Sequence, residues 1–213
     1  MRQRGVKNRD AIVQSCSAWL AEDPMTNRGS WRSLFGSDAP LCLEIGSGKG
    51  KFICGMAKAH PDINFLACEG GENINVRVLQ KASEAELANL RLIDEYIIHP
   101  CDYFAEGELD GLYLNFSDPW PKARHAHRRL THHRYLEEYK KIIRHGGFLA
   151  FKTDNDDLFA FSLEEFALAG LTPVRLTRDL HNSCWNEENI TTEYEEKFSQ
   201  TGKSINYAYI LMP

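Results

Sequence analysis

The sequence predicts an α/β protein built on one doubly wound, mostly parallel sheet with helices on both faces. Short apolar segments alternate with longer segments of helical periodicity along most of the 213 residues. The first apolar segment, Leu41–Ile45, also ends in a glycine-rich turn that leads directly into a helical pattern. This length suits one domain with a substantial core. We expect an N-terminal basic arm and lead-in over residues 1–38 and a single domain over residues 39–213.

Each strand is predicted from a short apolar run bounded by turn residues, and each helix from apolar residues three and four apart. The predicted strands cover residues 41–45, 63–68, 111–116, 148–152, 172–177 and 205–212. The predicted helices cover residues 11–21, 51–59, 72–90, 128–144 and 155–169. Residues 92–99 fit neither pattern clearly. Trp31–Phe35 is interpreted as an apolar plug that leads into the core.

The charge distribution favours a nucleic-acid partner although the formal net charge is −5. Residues 1–9 carry four basic side chains and no acid, and residues 122–134 carry five Lys or Arg, four His and no acid. An acidic protein can present a local basic surface that binds a phosphate backbone. The alternative for the second segment is the solvated face of a helix.

The six cysteines predict no disulfide framework, because they are far apart and form no Cys-x-x-Cys pair. No segment approaches the length of a membrane span, and residues 1–7 lack the apolar core of a signal peptide. We therefore expect a cytoplasmic protein with reduced thiols, no membrane partner and no metal.

The turn after the first strand has the pattern Glu44-x-Gly46-x-Gly48-x-Gly50. Glycines allow the backbone to turn tightly and to approach a ligand closely, and the following helix offers free N–H groups. Glu69 ends the next strand, where a carboxylate can accept both hydroxyls of a ribose. One ligand could therefore bridge the two strand ends. The alternative is a turn that serves packing alone.

The spacing in this turn argues against a phosphate ligand. Lys51 breaks the dinucleotide fingerprint, and Ile45 and Phe52 break the P-loop pattern. Glu44 would repel a phosphate but would attract a cationic ligand. This charge preference indicates S-adenosylmethionine, which carries an ammonium and a sulfonium.

A second motif, Asn115-Phe-Ser-Asp-Pro-Trp-Pro121, follows a predicted strand. Its two prolines cannot continue the strand, so the chain turns at Asp118. Asp118, Trp120 and Lys122 then lie at the carboxyl end of the strand, where open α/β sheets bind ligands. An ordinary Asp-Pro turn is the alternative.

Five segments together resemble the bacterial tRNA (guanine-N7-)-methyltransferases in order and spacing. They are Leu-Glu-Ile-Gly-Ser-Gly-Lys-Gly at 43–50, Leu-Asn-Phe-Ser-Asp-Pro-Trp-Pro-Lys at 114–122, His-Arg-Arg-Leu at 127–130, Phe-Lys-Thr-Asp-Asn at 151–155 and Thr-Glu-Tyr-Glu-Glu-Lys-Phe at 192–198. The resemblance implies a Rossmann-like class I methyltransferase. Such an enzyme transfers a methyl group from S-adenosylmethionine to N7 of a variable-loop guanosine in tRNA, as a monomer or homodimer.

The resemblance also implies roles for individual residues, with Asp118 as the catalytic residue between cofactor and guanine. The implied cofactor-binding residues are Glu44, Gly46, Gly48, Glu69, Tyr96 and Asp118. The implied substrate-binding residues are Lys122, Asp154, Thr192, Glu193, Tyr194 and Glu195. The residues implied to lie along the RNA are Arg124, His125, His127, Arg128 and Arg129.

Tyr96 departs from the family, which usually has an acidic or amide residue there that helps to hold the adenosine. Asp94, Glu95 or a backbone amide could take over that role.

Two further assignments have alternatives. Asp156 and Asp157 lie close enough to Asp154 to replace it. Trp120 and Tyr194 could stack on an extruded guanine, or they could simply pack inside the protein.

Two other functions compete with the main one. Ser-Asp-Pro-Trp is reminiscent of the Asp/Asn-Pro-Pro-Tyr loop of amino-group N-methyltransferases, which would predict an exocyclic or amide nitrogen of another substrate as the acceptor. A non-catalytic RNA-binding protein of the same fold is the second alternative, with Tyr96 as mild support.

Overall fold

A twisted β-sheet forms the centre of the computed structural model, which describes residues 6–199 and 202–213. Within that part of the chain it has seven strands, in the order β3-β2-β1-β4-β5-β7-β6. They are β1 (Leu41–Ile45), β2 (Asn64–Cys68), β3 (Leu90–Ile93), β4 (Leu109–Asn115), β5 (Ile143–Thr153), β6 (Pro173–Thr177) and β7 (Asn206–Leu211). The first five are parallel, and β7 runs antiparallel to both β5 and β6. The predicted doubly wound α/β class is confirmed.

Helices cover both faces of this sheet. The α-helices are α1 (Arg9–Ser15), α2 (Lys51–Ala59), α3 (Glu72–Glu84), α4 (Pro100–Tyr103), α5 (His133–Ile142), α6 (Asp156–Leu168) and α7 (Glu193–Ser199). Short 3₁₀ helices occupy Ser17–Trp19, Pro24–Asn27, Trp31–Phe35, Ala123–Arg128, Leu180–Asn182 and Cys184–Glu188. None of the helices described is long and apolar enough to cross a membrane.

The core lies in two layers because β1 buries both of its faces. Leu41, Leu43 and Ile45 join a cluster that includes side chains of α5 and α6. Cys42, whose side chain points to the other face, joins a cluster that includes side chains of α2 and α3. The strand order reverses at β1, which pairs with β2 on one side and β4 on the other. Ligands bind at such a switch point, beyond the carboxyl ends of the strands.

The structure corrects several predicted boundaries, including the start of β5, which begins at Ile143 instead of residue 148. The helix predicted over 72–90 ends at Glu84, and the chain turns through Glu86 (φ 51°) into β3, part of the stretch that fitted neither pattern. The helix predicted from residue 128 begins at His133, after a separate 3₁₀ helix. The helix predicted over 11–21 ends at Ser15. Short apolar runs fit helix and strand periods alike, so periodicity alone could not place these ends.

The lead-in before β1 packs onto the domain. Trp31 is fully buried, and the ring N–H donates to the Tyr103 carbonyl at 2.8 Å, which confirms the predicted plug. Glu108 accepts hydrogen bonds from the backbone N–H groups of Gly29 (2.8 Å) and Trp31 (3.1 Å). These contacts attach residues 29–31 to the domain. The boundary between residues 38 and 39 stays a prediction.

Candidate active site

The glycine-rich turn after β1 leaves open space beside its backbone. Gly46, Gly48 and Gly50 all have left-handed φ angles, of 81°, 56° and 79°. A Cβ atom at Gly50 would lie 2.9 Å from Val78 of α3, so this glycine serves packing. A Cβ atom at Gly46 or Gly48 would meet no atom within 4 Å, so there is space beside this backbone that a ligand can enter. These two glycines are needed for their left-handed backbone conformation.

Glu69 ties the turn after β1 to the loop after β2. The carboxylate accepts hydrogen bonds from the backbone N–H of Gly48 at 3.0 Å and of Gly71 at 2.9 Å. Burial raises the pKa of Glu69, and these two N–H groups partly oppose the shift. The ribose contact predicted for Glu69 at the end of β2 stays a prediction.

Glu44 is buried beneath this turn with half of its carboxylate unsatisfied. Oε1 accepts a hydrogen bond from the Asn115 amide at 2.7 Å, whereas Oε2 has no partner. Burial raises the pKa of Glu44 to about 8. An unsatisfied buried carboxylate oxygen is costly, and a ligand ammonium would satisfy it. The residues present therefore fit a cationic nucleoside such as S-adenosylmethionine. Sequence reasoning gave Asn115 no role, although its place at the end of β4 was the available signal.

The loop after β4 has a strained backbone on both sides of Asp118. Phe116 and Trp120 have left-handed φ angles of 52° and 41°, which bulky side chains rarely adopt. Such strain persists only where the surroundings hold the backbone in place, and it is typical of functional loops. Asp118 itself is exposed at the tip of the loop.

Arg129 is one of the groups that hold this loop. The guanidinium donates hydrogen bonds to the carbonyl oxygens of Pro119 (3.0 Å) and Trp120 (3.1 Å), and it lies 4.2 Å from the centre of the Phe161 ring. The structure thus gives Arg129, which was predicted to contact RNA, a structural contact inside the protein.

The other basic residues of the segment lie nearer to solvent. Arg128 is exposed, and its guanidinium stacks 4.7 Å from the centre of the Trp120 ring. His125 is half-buried with its ring edge-on to Trp120. Lys122, Arg124 and His127 are exposed. The segment therefore presents cations around Trp120, and the RNA contacts predicted for it stay predictions.

The motif Thr192-Glu193-Tyr194-Glu195 forms the start of α7 as a capping box. The Thr192 hydroxyl accepts a hydrogen bond from the backbone N–H of Glu195 at 2.9 Å, and the Glu195 carboxylate accepts one from the Thr192 N–H at 3.3 Å. We did not predict α7, although the Thr-x-x-Glu spacing was the signal for it.

Glu195 is fully buried and joins α7 to β5. The carboxylate accepts hydrogen bonds from Lys152 at 3.0 Å, from Asn189 at 2.8 Å and from the His181 ring at 2.7 Å. Burial alone would raise the pKa of Glu195, but the Lys152 cation and these hydrogen bonds outweigh it and lower the pKa. The contacts position α7. Lys152 lies within the Phe-Lys-Thr-Asp-Asn motif, to which sequence reasoning gave no such role.

Glu193 and Tyr194, which lie between Thr192 and Glu195 in the motif, face the site. Glu193 accepts a hydrogen bond from the Lys51 backbone N–H at 3.3 Å and forms an ion pair with Lys81, so α7 begins against the N-terminus of α2. The Tyr194 hydroxyl donates to Asp154 at 3.2 Å, and the Tyr194 ring lies 5.1 Å from the ring of Phe116. The structure thus brings Tyr194 and Asp154 to the strained loop that carries Asp118.

Asp156, an alternative to Asp154, is engaged elsewhere. The carboxylate accepts hydrogen bonds from Lys203 at 3.0 Å and from Asn206 at 2.9 Å, and these hydrogen bonds lower the pKa of Asp156. This engagement favours Asp154 over Asp156 for the predicted substrate contact.

The acids before Tyr96 are also engaged. Asp94 forms an ion pair with Arg9 at 3.3 Å and a hydrogen bond with the Asn75 amide. Glu95 accepts a hydrogen bond from the Tyr103 hydroxyl at 2.6 Å. Tyr96 is 70% exposed. Both carboxylates already bind other groups of the protein. We therefore do not expect Asp94 or Glu95 to replace the residue that the family usually has at position 96.

One group of described side chains could bring three metal-ligand atoms within 4.8 Å of one another, namely His132, His133 and Glu165. Glu165 accepts a hydrogen bond from the backbone N–H of His133, the first residue of α5, and contacts the ring of His133 at 2.9 Å. We interpret this carboxylate as an N-terminal cap for α5. The expected absence of a metal stays a prediction.

Known proteins resemble this chain over most of its length. The model of a family described as "Putative methyltransferase" matches residues 38–208. The tRNA (guanine-N(7)-)-methyltransferase of Bacillus subtilis is 45% identical over 210 residues, which cover 99% of this chain and 98% of that protein. The enzyme of the same name from Halalkalibacterium halodurans is 46% identical over 197 residues, covering 92% of this chain and 89% of that protein.

Solved structures resemble the fold at much lower identity. The 16S rRNA methyltransferase KamB aligns with a TM-score of 0.65 and 13% identity, covering 87% of this chain and 94% of KamB. A SAM-dependent methyltransferase from Aquifex aeolicus aligns with a TM-score of 0.57 and 13% identity, covering 98% of this chain and all of that one. These likenesses concern the fold.

Proposed function

Because the chain belongs to the tRNA (guanine-N(7)-)-methyltransferase family, we propose that it transfers a methyl group from S-adenosylmethionine to N7 of a guanosine in the variable loop of tRNA. One observation above all supports this proposal: the buried, half-satisfied carboxylate of Glu44 and the strained Asp118 loop lie at the carboxyl ends of the paired strands β1 and β4. A cationic methyl donor and its acceptor can meet there.

We propose that the cofactor lies across the ends of β1 and β2. Glu44 would bind the ammonium, and Glu69 would bind the ribose hydroxyls. The part of the cofactor between these two groups would lie in the open space beside the backbone of Gly46 and Gly48. When bound, the cofactor supplies an activated methyl group on its sulfonium, and the bond from that carbon to sulfur breaks as the bond to N7 forms.

The protein then needs to position the acceptor rather than to activate it. Guanine N7 has a free lone pair and carries no proton, so no general base is required to create the nucleophile. Holding N7 in line with the methyl group makes the transfer effectively intramolecular. Asp118 would stabilise the positive charge that develops on the purine. Asp154 would accept a hydrogen bond from the guanine N1–H and N2–H₂ edge.

Residues near the Asp118 loop would hold the substrate nucleotide. Tyr194 is placed between Asp154 and Phe116, where its ring could stack on an extruded guanine. Lys122, four residues after Asp118 in the chain, is exposed and could reach a phosphate. Thr192 and Glu195 are engaged in the capping box, so we propose that they position Glu193 and Tyr194 instead of touching the nucleotide.

The exposed side chains of Arg124, His127 and Arg128 would bind the tRNA backbone beside this site. We propose a cytoplasmic location, which agrees with the cysteines: all six are free thiols in the structure.

The first test incubates the purified protein with labelled S-adenosylmethionine and unmodified tRNA, and then analyses the nucleosides of a digest. We expect 7-methylguanosine in the variable loop. A methylated exocyclic or amide nitrogen would favour the alternative substrate, and tRNA binding without any methyl transfer would favour a non-catalytic RNA-binding protein.

The second test replaces Asp118 by alanine. Removal of one charge-stabilising group typically costs 10²–10³-fold in rate, so we expect a loss of about that size while the Kd for tRNA is unchanged. Asp62→Ala is the matched control. Asp62 is exposed and precedes β2, so it lies at the amino ends of the strands, away from the site at their carboxyl ends. Unchanged turnover of Asp118→Ala would exclude the assigned role.

A further inference from the structure

The ring of Tyr96 covers Gly70 in the loop that follows Glu69. A Cβ atom at Gly70 would lie only 2.4 Å from Cδ2 of the Tyr96 ring, so the ring occupies the space that a side chain at position 70 would need. The φ angle of Gly70 lies outside the left-handed region, so the backbone there could accommodate alanine. The close approach of the ring is therefore the physical reason for a glycine at this position.

This ring lies beside the place proposed for the ribose, because Gly70 directly follows Glu69. Glu69 is held by Gly48 and Gly71 at the end of β2, where the ribose is proposed to bind. The next strand outwards from β2 is β3, so the loop after β3 neighbours the loop that carries Glu69. Tyr96 follows β3 and is 70% exposed, so a bound ligand can reach its ring.

The polar groups before Tyr96 do not compete for this place. Asp94 is bound to Arg9 and Asn75, and Glu95 is bound to the Tyr103 hydroxyl. The exposed side chain that follows these two acids is thus an aromatic ring.

We infer that Tyr96 is the platform on which the adenine of the cofactor stacks, and that Gly70 admits the ring to this position. The inference rests on the proposed use of S-adenosylmethionine. An aromatic ring recognises the face of a base, whereas a carboxylate or amide would recognise its edge. The pair Gly70 and Tyr96 thus replaces edge recognition of the adenine by stacking.

The experiment measures the Kd of S-adenosylhomocysteine by titration calorimetry for the wild type and five variants. Tyr96→Phe keeps the ring, and we expect an unchanged Kd. Tyr96→Ala should weaken binding about 10-fold, the range of one base–aromatic stack. Gly70→Ala should weaken it similarly by displacing the ring, and in the Tyr96→Ala background it should cost nothing further. Ile98→Ala, which truncates another exposed apolar side chain nearby, is the matched control.

A spectroscopic signature separates stacking from a structural role. The adenine C2–H signal of the bound ligand should shift upfield in the NMR spectrum of the wild type and Tyr96→Phe, and this shift should be lost in Tyr96→Ala. Wild-type affinity of Tyr96→Ala, or fully additive effects of the two alanine substitutions, would overturn the inference alone. A wild-type protein that does not bind S-adenosylhomocysteine would overturn both the inference and the proposed function.

Discussion

At the scale of single residues, the protonation of Glu44 links the stability of the empty protein to ligand binding. The folded protein holds this carboxyl with a pKa of about 8, whereas a carboxyl of the unfolded chain titrates near 4.5. Between these values the folded state binds the proton and the unfolded state does not. The free energy of unfolding therefore falls as the pH rises from about 4.5 to about 8. A cationic ligand reverses this preference by favouring the ionised carboxylate.

Glu44→Gln should remove this fall in stability, because the amide has nearly the same shape and does not titrate. In urea unfolding of the ligand-free protein, we expect the variant to gain about 2–3 kcal/mol relative to the wild type between pH 5 and pH 7. Glu84→Gln, which changes an exposed carboxylate at the end of α3, should show no such gain. A difference between Glu44→Gln and the wild type that does not change with pH would contradict the prediction.

The role of Tyr96 also depends on its neighbours in the folded protein. The sequence presents it as a departure from the family, with Asp94 and Glu95 as possible replacements. The structure engages both acids elsewhere and lays the Tyr96 ring over Gly70. The identity of a residue therefore did not reveal its surroundings.

At the scale of elements, the loop after β4 and the following 3₁₀ helix divide the basic segment by function. Arg129 donates to the carbonyl groups of the two residues that follow Asp118, Pro119 and Trp120. Arg124, in contrast, is exposed on the 3₁₀ helix. Two arginines that look equivalent in the sequence thus have different partners.

Replacing each of these arginines by alanine should separate catalysis from RNA binding. Arg129→Ala should lower kcat about 10-fold or more by releasing the loop that positions Asp118. Arg124→Ala should leave kcat unchanged, weaken tRNA binding, and reduce the slope of log K against log salt by about 1. Single-turnover methylation and tRNA binding at several salt concentrations measure both effects. A normal kcat for Arg129→Ala would contradict its role in positioning the loop, and weakened tRNA binding in the same variant would identify it as an RNA contact.

The helix α7 makes a related point about a motif. Thr192 and Glu195 were predicted to bind substrate because of the resemblance, and they form the capping box that begins this helix. The Lys152–Glu195 ion pair, buried at 3.0 Å, fixes the helix to β5. Residues can thus belong to a functional motif by positioning their neighbours.

At the scale of the whole molecule, the segment before β1 is integrated into the core. Trp31 is fully buried and stacks on Phe104 with ring centres 5.4 Å apart. Glu108 binds the backbone on both sides of Ser30, at Gly29 and Trp31. We interpret residues 29–35 as part of the folding unit that supports the sheet.

Trp31→Ala should destabilise the protein by about 3–5 kcal/mol, because the substitution leaves a large cavity in the core and removes a hydrogen bond to Tyr103. Trp185→Ala removes the same atoms from a half-exposed position and should cost clearly less. Urea unfolding monitored by circular dichroism measures both. Equal losses for the two variants would mean that the segment before β1 is not part of the cooperative core.

The sequence by itself determined the features that depend on neighbouring residues. The parallel strands, the turn of Gly46 and Gly48 and the stop at Asp118 follow from apolar periodicity, glycine and proline, each of which acts within a few residues. The C-terminal end of the helix predicted over 72–90 escaped prediction because short apolar runs are ambiguous.

Only the tertiary structure decided which distant groups meet. Glu69 reaches Gly48, Lys152 reaches Glu195, and Arg129 closes back on the loop it follows. Burial then leaves one oxygen of Glu44 without a partner. No local pattern encodes these contacts, because each depends on where separate segments of the chain cross and on how much water remains around them.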